Sequence, residues 1–366
     1  MPRLPPKMDI YTSTGDLVYS RDLTGVIKTS GTEWNLVHRA KLHSELTRIA
    51  TSGEGLGSPA KLFLDCKLAD LNVHEPSLKL ATGEIFRGDL IIGADGIHSW
   101  TRSFVAPGHK PFPYGKGCFR WLGPYDELAS DPETERYAGT GLLNEWAGSD
   151  RRVIYYPFCD HTMANYAGFV PAHEAGTTTH SWDNAASKEV LLKCFESFGP
   201  SVRSILSKAS ANKLKFWPLM DMHSLPTWTQ GFVVLIGDAA HPFLPFMAQG
   251  GAMAIEDGAS LGALLPLGTA KSDILNRLSL YEECRRGRVE HIQEFTRRNG
   301  RDPDGSRGPR PSCESFQAKR ALTGQPLNQV RLAKEAMDFM AFCVQHDEWK
   351  HSSDVLRQSL ATTDRV

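Results

Sequence analysis

Apolar and polar positions in the first fifty residues follow patterns that predict short strands and a helix. Residues 1–30 are polar with alternating apolar positions, which predicts strands on either side of a turn at Ser13–Asp16. Apolar residues at positions 36, 42, 46 and 49 have helical spacing, so we expect a helix from about Arg39.

Two short apolar runs predict buried strands, and each run ends in glycine followed closely by aspartate. The first, Leu90–Ile92, runs into Gly93-Ala-Asp95-Gly96 and follows a predicted hairpin at Thr82-Gly83. The second, Phe232–Ile236, runs into Gly237-Asp238. In open α/β sheets, ligands collect at the carboxyl ends of strands. We therefore expect the sheet edge around Asp95 and Asp238 to form a ligand site.

The middle of the chain differs from its flanks. Residues 103–225 contain β-like runs such as RRVIYYPF and MANYAGFV, interrupted by the helical segment SKEVLLKCFESF. This composition predicts a largely antiparallel sheet inserted into the first domain. The later elements are predicted as a small-residue helix at 251–265, a charged helix at 279–298, a loop at 299–312 and an amphipathic helix at 328–343.

The predicted fold class is mixed α/β: a truncated Rossmann-like domain with an inserted antiparallel substrate domain and C-terminal helices. The predicted division is residues 1–102 and 226–300 for the cofactor-binding domain, 103–225 for the substrate domain and 301–366 for a linker with a helical extension.

Composition excludes several classes of protein. The net charge of −1 gives no electrostatic argument for binding nucleic acid or an anionic membrane surface. No apolar run is long enough to span a membrane, and the N-terminus has no signal-peptide pattern. Seven scattered cysteines without a C-x-x-C pair indicate reduced thiols, a cytoplasmic protein and no metal site.

The residues after the second strand favour a planar, polyhydroxylated ligand that carries negative charge. Asp238 can accept hydrogen bonds from ligand hydroxyls, and Pro242 and Pro245 stiffen the loop that follows. Gly250, Gly251 and Ala252 leave the backbone N–H groups of a helix start accessible, where the helix dipole favours an anion. A flavin fits this description.

Three motifs resemble those of the single-component FAD-dependent aromatic hydroxylases, the salicylate hydroxylase-like branch of the para-hydroxybenzoate hydroxylase fold. GDLIIGADGIHSWTR (88–102) is similar to the motif that contacts FAD and the nicotinamide nucleotide, which implies roles for Asp95, Gly96 and Arg102. GDAAHPFLPFMAQGGAMAIED (237–257) is similar to the ribityl and isoalloxazine motif, and VHRAKLHSEL (37–46) to the segment whose arginine, here Arg39, touches FAD.

The resemblance implies a monooxygenase that uses FAD, NAD(P)H and O2 to hydroxylate an aromatic, phenolic or polyketide-like molecule in secondary metabolism. The protein would orient the phenol and keep it ionised, for which Arg120 and Tyr155 or Tyr156 are candidates. Only one of these tyrosines can face a cavity, because neighbours in a strand point to opposite faces. Substrate identity and oligomeric state stay open.

The chain departs from the family at its beginning, since it contains neither G-x-G-x-x-G nor the acidic ribose ligand. Two explanations stay open: an incomplete form of a longer protein, which we favour, or drift away from flavin catalysis. The second explanation predicts an inactive remnant that acts at most as a binding protein. A flavin oxidase or an epoxidising enzyme is a further alternative.

Structural roles compete with several of these assignments. Asp238 could cap the following turn, Asp95 and Arg102 could form an ion pair, and His241 fits a hydrogen-bonded fold residue better than a catalyst. The arginine cluster of the charged helix includes the i,i+4 pairs Glu282–Arg286 and Glu294–Arg298, which indicates a solvated helix face rather than a nucleic-acid site.

Overall fold

The computed structural model describes residues 7–25, 36–54, 57–138, 142–159, 162–176, 185–300, 339 and 341–363. The strands, in chain order, are β1 Lys7–Thr12, β2 Leu17–Asp22, β3 Leu68–Asn72, β4 Ser77–Leu80, β5 Ile85–Arg87, β6 Ile91–Gly93, β7 Phe112–Pro124, β8 Leu142–Ala147, β9 Arg152–Phe158, β10 Met163–Pro171, β11 Lys215–Asp221, β12 Thr229–Gln230 and β13 Val233–Leu235. The named α-helices are α1 Arg39–Thr51, α2 Arg102–Val105, α3 Asp126–Ala129, α4 Lys188–Cys194, α5 Pro200–Ser207, α6 Gly250–Leu264, α7 Ile274–Gly300 and α8 Glu348–Thr363. None of the helices in this described part is long and apolar enough to cross a membrane.

The chain divides into two compact units, each assembled from three stretches of sequence. Unit 1 comprises Met1–Leu62, Tyr114–Leu219 and Gly300–His346, and unit 2 comprises Phe63–Pro113, Met220–Asn299 and Asp347–Val366. Both units combine sheets with helices, so the expected mixed α/β architecture is confirmed.

Unit 1 is built on a seven-stranded sheet with the order β11-β7-β10-β9-β8-β1-β2. The pairs β7–β10, β10–β9, β9–β8 and β1–β2 are antiparallel, which confirms the expected antiparallel character, while β1 and β8 run parallel. The predicted turn at Ser13–Asp16 connects β1 to β2. Both of these strands come from residues 1–102, which were predicted to be part of the cofactor-binding domain.

One face of this sheet carries an aromatic core, because alternate residues of each strand point to the same face. Trp121 and Tyr166 from neighbouring strands stack there with their ring centroids 5.0 Å apart. Leu191 of α4 and Val202 of α5 belong to the same buried cluster. A Cβ at Gly117 would lie 2.0 Å from the ring of Phe216, so only glycine leaves room for this contact.

Unit 2 contains two three-stranded sheets. β3, β4 and β5 form an antiparallel sheet in which the predicted Thr82-Gly83 hairpin joins β4 to β5. The second sheet has the order β12-β13-β6, and β13 runs parallel to β6. The two predicted buried strands that end in glycine and aspartate are therefore direct neighbours.

The helices of unit 2 begin near their predicted starts, but the predicted solvated face of the charged helix is wrong for Arg285 and Arg288, which are buried. α6 begins at Gly250, one residue before its predicted start, and α7 begins at Ile274, five residues before. Asn299 and Gly300 complete α7 rather than starting a loop. The rest of that predicted loop, and most of the helix predicted at 328–343, lie outside the described residues.

Helix α8 lies within the helical extension predicted for residues 301–366, but its position at Glu348–Thr363 was not predicted. Its buried positions fall at i, i+4 and i+8, but two of them are the polar residues Glu348 and Ser352, and only Leu356 is apolar. A search for apolar periodicity cannot find a buried stripe that polar side chains supply.

Candidate functional site

The two strand ends meet at one edge of the sheet in unit 2. Gly93, the last residue of β6, lies opposite Leu235, the last residue of β13. Ile236 then donates its N–H to the Gly93 carbonyl at 3.0 Å. The loops that carry Asp95 and Asp238 therefore leave the sheet side by side, at the edge where α/β sheets bind ligands.

Arg102 ties these two loops together. Its side chain is 2% exposed and donates from Nε to the Ala239 carbonyl at 2.7 Å. Its terminal nitrogens donate to the carbonyls of Asp238 at 2.8 Å and Ile97 at 2.9 Å. Burial lowers the pKa of Arg102, and the carboxylates of Asp95 and Asp238 oppose that effect. The guanidinium thus acts as a bridge between the loops.

The carboxylate of Asp95 is engaged by its own loop. Oδ1 accepts the Ser99 hydroxyl at 2.5 Å, and Oδ2 accepts the N–H groups of Trp100 and Thr101 at 2.8 and 2.9 Å. The Thr101 hydroxyl donates to Oδ2 as well, at 3.0 Å. Burial alone would raise the pKa of Asp95, but these donors stabilise the carboxylate and hold its pKa below the ordinary value. Asp95 therefore organises the turn before α2.

The two glycines at the strand ends serve different purposes. A Cβ at Gly93 would lie 2.6 Å from Thr101 Cγ2 and 2.9 Å from Leu235 Cδ2, so side chains of the protein itself fill that space. Gly237 has a φ of +56°, in the left-handed region that favours glycine. A Cβ there would also lie 3.4 Å from the Ala254 side chain, so the turn after β13 passes close to α6.

Asp257 of α6 fixes this turn, although it was not among the predicted site residues. Its fully buried carboxylate accepts the Gly237 N–H at 2.8 Å and pairs with the Arg285 Nε at 2.9 Å. Burial alone would raise the pKa of Asp257, but His241, Arg285 and the Gly237 amide outweigh it and lower the pKa. The available signal was the pair of adjacent acidic residues, Glu256 and Asp257, inside a helix of mostly small and apolar residues.

His241 is a residue of the fold, in agreement with the structural alternative. Its Nε2 lies 2.9 Å from Asp257 Oδ2, and the side chain is 3% exposed. Its ring lies 4.8 Å from the Trp228 ring and 5.8 Å from the Phe243 ring, centroid to centroid. These contacts hold the loop after Asp238 against the body of unit 2.

The start of α6 exposes backbone without side chains over it. A Cβ at Gly251 would meet no atom within 4 Å, and both Gly251 and Ala252 are exposed. Pro245, also exposed, opens a short 3₁₀ turn that precedes the helix, and α6 has no acidic residue in its first turn. Because the first N–H groups of a helix lack partners within it, this end can hold an anionic edge of a ligand. Asp238 is exposed at the adjacent strand end.

The predicted substrate residues lie in unit 1, where the sheet register separates the two tyrosines. Tyr156 lies opposite Asn165, and Asn165 Oδ1 accepts a hydrogen bond from Arg120 Nε at 3.0 Å. Tyr156 and Arg120 are both partly buried. Burial raises the pKa of Tyr156, and the positive charge of Arg120 opposes that rise. Arg120, Tyr156 and Asn165 thus form one polar group on this sheet.

Tyr155 faces the other way. It is fully buried in the aromatic core of unit 1, and its hydroxyl has no hydrogen-bond partner among the described residues. A core side chain cannot reach a substrate, so we do not carry its catalytic assignment forward. Arg39, the first residue of α1, is exposed and also belongs to unit 1.

Comparison with known proteins gives a consistent result. Residues 68–296 match a family model described as an FAD binding domain. Hispidin-3-hydroxylase of Neonothopanus nambi is 35% identical over 292 residues, which cover 76% of this chain and 68% of the relative. The FAD-dependent monooxygenase phomE' of Diaporthe leptostromiformis is 32% identical over 289 residues, which cover 76% of this chain and 72% of the relative.

A solved structure extends the likeness to the fold. A salicylate hydroxylase substrate complex superposes with a TM-score of 0.70 at 22% identity, covering 95% of this chain and 81% of that chain. At this identity the likeness concerns the fold alone.

Proposed function

Because this chain belongs to the family of FAD-dependent monooxygenases of the aromatic hydroxylase type, we propose that it hydroxylates a phenolic small molecule with NAD(P)H and O2. The observation that carries the proposal is the exposed start of α6 beside Asp238 at the joint end of β6 and β13. The hydroxylase among its relatives supports a ring-bearing substrate, and the fungal relatives support a role in secondary metabolism.

The residues at this sheet edge fit a flavin. Asp238 would accept hydrogen bonds from the ribityl hydroxyls, and the N–H groups at Gly250 and Gly251 would hold the anionic edge of the ring. A Cβ at Gly96 would meet no atom within 4 Å, so its backbone is accessible too. Asp95 and Arg102 would act by holding the loops in place. Bound FAD would supply the electron transfer from NAD(P)H to O2 that amino-acid side chains do not provide.

In unit 1 we assign substrate orientation to Arg120 and Tyr156. The guanidinium would stabilise an ionised phenol, which reacts more readily with electrophilic oxygen, and the tyrosine hydroxyl would donate a hydrogen bond to it. Asn165 would hold Arg120 in position through the 3.0 Å hydrogen bond. The division into a cofactor-binding and a substrate-binding domain is part of this proposal.

The direct test is to purify the chain with added FAD and record its flavin absorption. We expect a yellow protein that oxidises NADH or NADPH faster with a phenol present and incorporates ¹⁸O from ¹⁸O2 into the product. A protein that stays colourless in excess FAD would refute the proposal and favour a binding protein. Flavin binding with H2O2 as the only product would instead indicate an oxidase.

The substrate residues are tested by a matched pair of substitutions in one strand. Tyr156→Phe should lower kcat/KM for the phenol about tenfold, because one hydrogen bond to a charged group is lost. Tyr155→Phe removes a hydroxyl from the core and should leave kcat/KM within twofold. Equal effects from the two substitutions would overturn the assignment of Tyr156.

A further inference from the structure

The C-terminal helix α8 lies outside residues 68–296, the part of the chain that matches the family model. It packs on α6 within unit 2: Ser352 Oγ lies 2.7 Å from Ser260 Oγ, and a Cβ at Gly262 would lie 3.1 Å from the Trp349 ring. The first residue of α8, Glu348, is 4% exposed. A carboxylate this deeply buried needs a partner, since burial of an unpaired charge is strongly unfavourable.

The partner of Glu348 is Arg285 of α7, which is fully buried. Glu348 Oε2 accepts from Arg285 at 2.5 Å, and the same guanidinium nitrogen donates to Glu256 at 2.7 Å. Arg285 Nε donates to Asp257 at 2.9 Å. Burial alone would lower the pKa of Arg285, but the three carboxylates outweigh it and raise the pKa.

These contacts form a continuous chain of hydrogen bonds from α8 to the turn after β13. Ser352 donates to Glu348, Glu348 fixes Arg285, and Arg285 fixes Asp257, which accepts the Gly237 N–H at 2.8 Å. Glu256 is shared between two arginines, because it accepts from Arg285 and also accepts two hydrogen bonds from Arg288 at 2.8 Å each. Loss of the Glu348 charge therefore leaves Arg285 to shift toward Asp257 or Glu256.

We propose that Glu348 is a positioning residue for the Gly237-Asp238 turn. Through this residue, α8 sets the affinity of unit 2 for FAD without itself contacting FAD. The proposal rests on the proposed function for its FAD readout. The structural part of the proposal, the coupling of α8 to the turn, does not rest on the proposed function.

Affinity is measured by titrating FAD into the purified chain and following flavin fluorescence. Glu348→Gln should raise the Kd about tenfold, whereas Asp354→Asn, which removes a carboxylate from an exposed ion pair on the same helix, should leave it within twofold. Ser352→Ala removes the hydrogen bond to Glu348 and the contact with Ser260, and it keeps the Glu348 charge. It should raise the Kd two- to fivefold and tests the same coupling if Glu348→Gln does not fold. An unchanged Kd in the variants that fold would overturn the proposal.

Hydrogen exchange gives a readout without FAD. In the apo protein, Glu348→Gln should speed amide exchange in residues 233–241 at least fivefold and leave the β4–β5 hairpin of the same unit unchanged. Uniformly faster exchange in both segments would mean that Glu348 only stabilises the unit, and would overturn a positioning role. If the wild type does not bind FAD while residues 233–241 still respond, the proposed function fails and the coupling stands.

Discussion

The carboxylate of Asp257 accepts the backbone N–H of Gly237 at 2.8 Å, across 20 residues of chain. This bond joins α6 to the turn after β13, and it places a buried negative charge next to Gly237, the residue before the exposed Asp238. The geometry of the candidate cofactor site therefore depends on Asp257, which is fully buried and is not part of the exposed site. Four predictions test the parts of this arrangement and the packing of unit 1.

Asp257→Asn should lower the free energy of unfolding by about 3–5 kcal/mol at pH 7, because Arg285 loses a buried counter-charge. The pKa of Asp257 is lowered in the folded state, so its stabilisation is present above the unfolded pKa of about 3.9. That stabilisation is lost as the pH falls through the lowered pKa, where the wild type takes up a proton. The difference in the free energy of unfolding between the wild type and Asp257→Asn should therefore decrease below about pH 4.

Urea unfolding at several pH values between 7 and 3 measures this gap. Asp354→Asn, at an exposed carboxylate of α8, serves as the control and should change stability by less than about 0.5 kcal/mol. A gap that stays constant down to pH 3 would contradict the assigned role of the Asp257 charge.

Gly237→Ala should destabilise unit 2 by about 1–2 kcal/mol, because φ at this position is +56°. It should also weaken FAD binding about tenfold (~1.4 kcal/mol), since the turn that presents Asp238 must move. Gly83→Ala is the matched control: its φ is +91° and a Cβ there meets no atom within 4 Å. It should cost similar stability and leave the FAD Kd unchanged, as fluorescence titration would show. Equal effects on the Kd would argue against a role for the turn.

Arg102→Lys should lower the free energy of unfolding by about 2–3 kcal/mol, because an ammonium cannot reproduce the planar fork that reaches the carbonyls of both loops. Arg48→Lys, at an exposed arginine paired with Glu45, should have almost no effect. Chemical denaturation of the two variants checks this difference. A tolerated lysine at position 102 would show that the guanidinium bridge is dispensable.

Gly117→Ala should destabilise unit 1 by about 1–3 kcal/mol or prevent its folding, since the new methyl group would overlap the Phe216 ring. Gly123→Ala in the same strand meets only Tyr166 at 3.5 Å, an ordinary contact, and should be tolerated. Near-ultraviolet circular dichroism and thermal unfolding distinguish the two variants. Similar spectra and unfolding temperatures for both variants would mean that the Phe216 ring moves aside to accept the methyl group.

Local patterns were sufficient to predict most elements. The hairpin at Thr82-Gly83 and the helix from Arg39 depend on contacts between residues close in sequence, which periodicity records. The strands that lead into Gly93 and Gly237 were predicted from their short apolar runs, although they pair with each other across the chain. The motifs that resemble those of the family predicted FAD as the cofactor and monooxygenation as the type of reaction. The position of helix α8 was not predicted because most of its buried residues are polar, namely Glu348 and Ser352.

The sequence by itself determined that Tyr155 and Tyr156 must face opposite sides of a strand, and that Asp95 and Asp238 follow the ends of two strands. Only the tertiary structure decided which tyrosine enters the aromatic core, and that Asp95 is engaged by its own loop. It also decided that Asp257 and Glu348 meet at Arg285, across 28 and 63 residues. The physical reason is that a buried charge is tolerated only beside its partner, and distant segments of chain bring that partner into place.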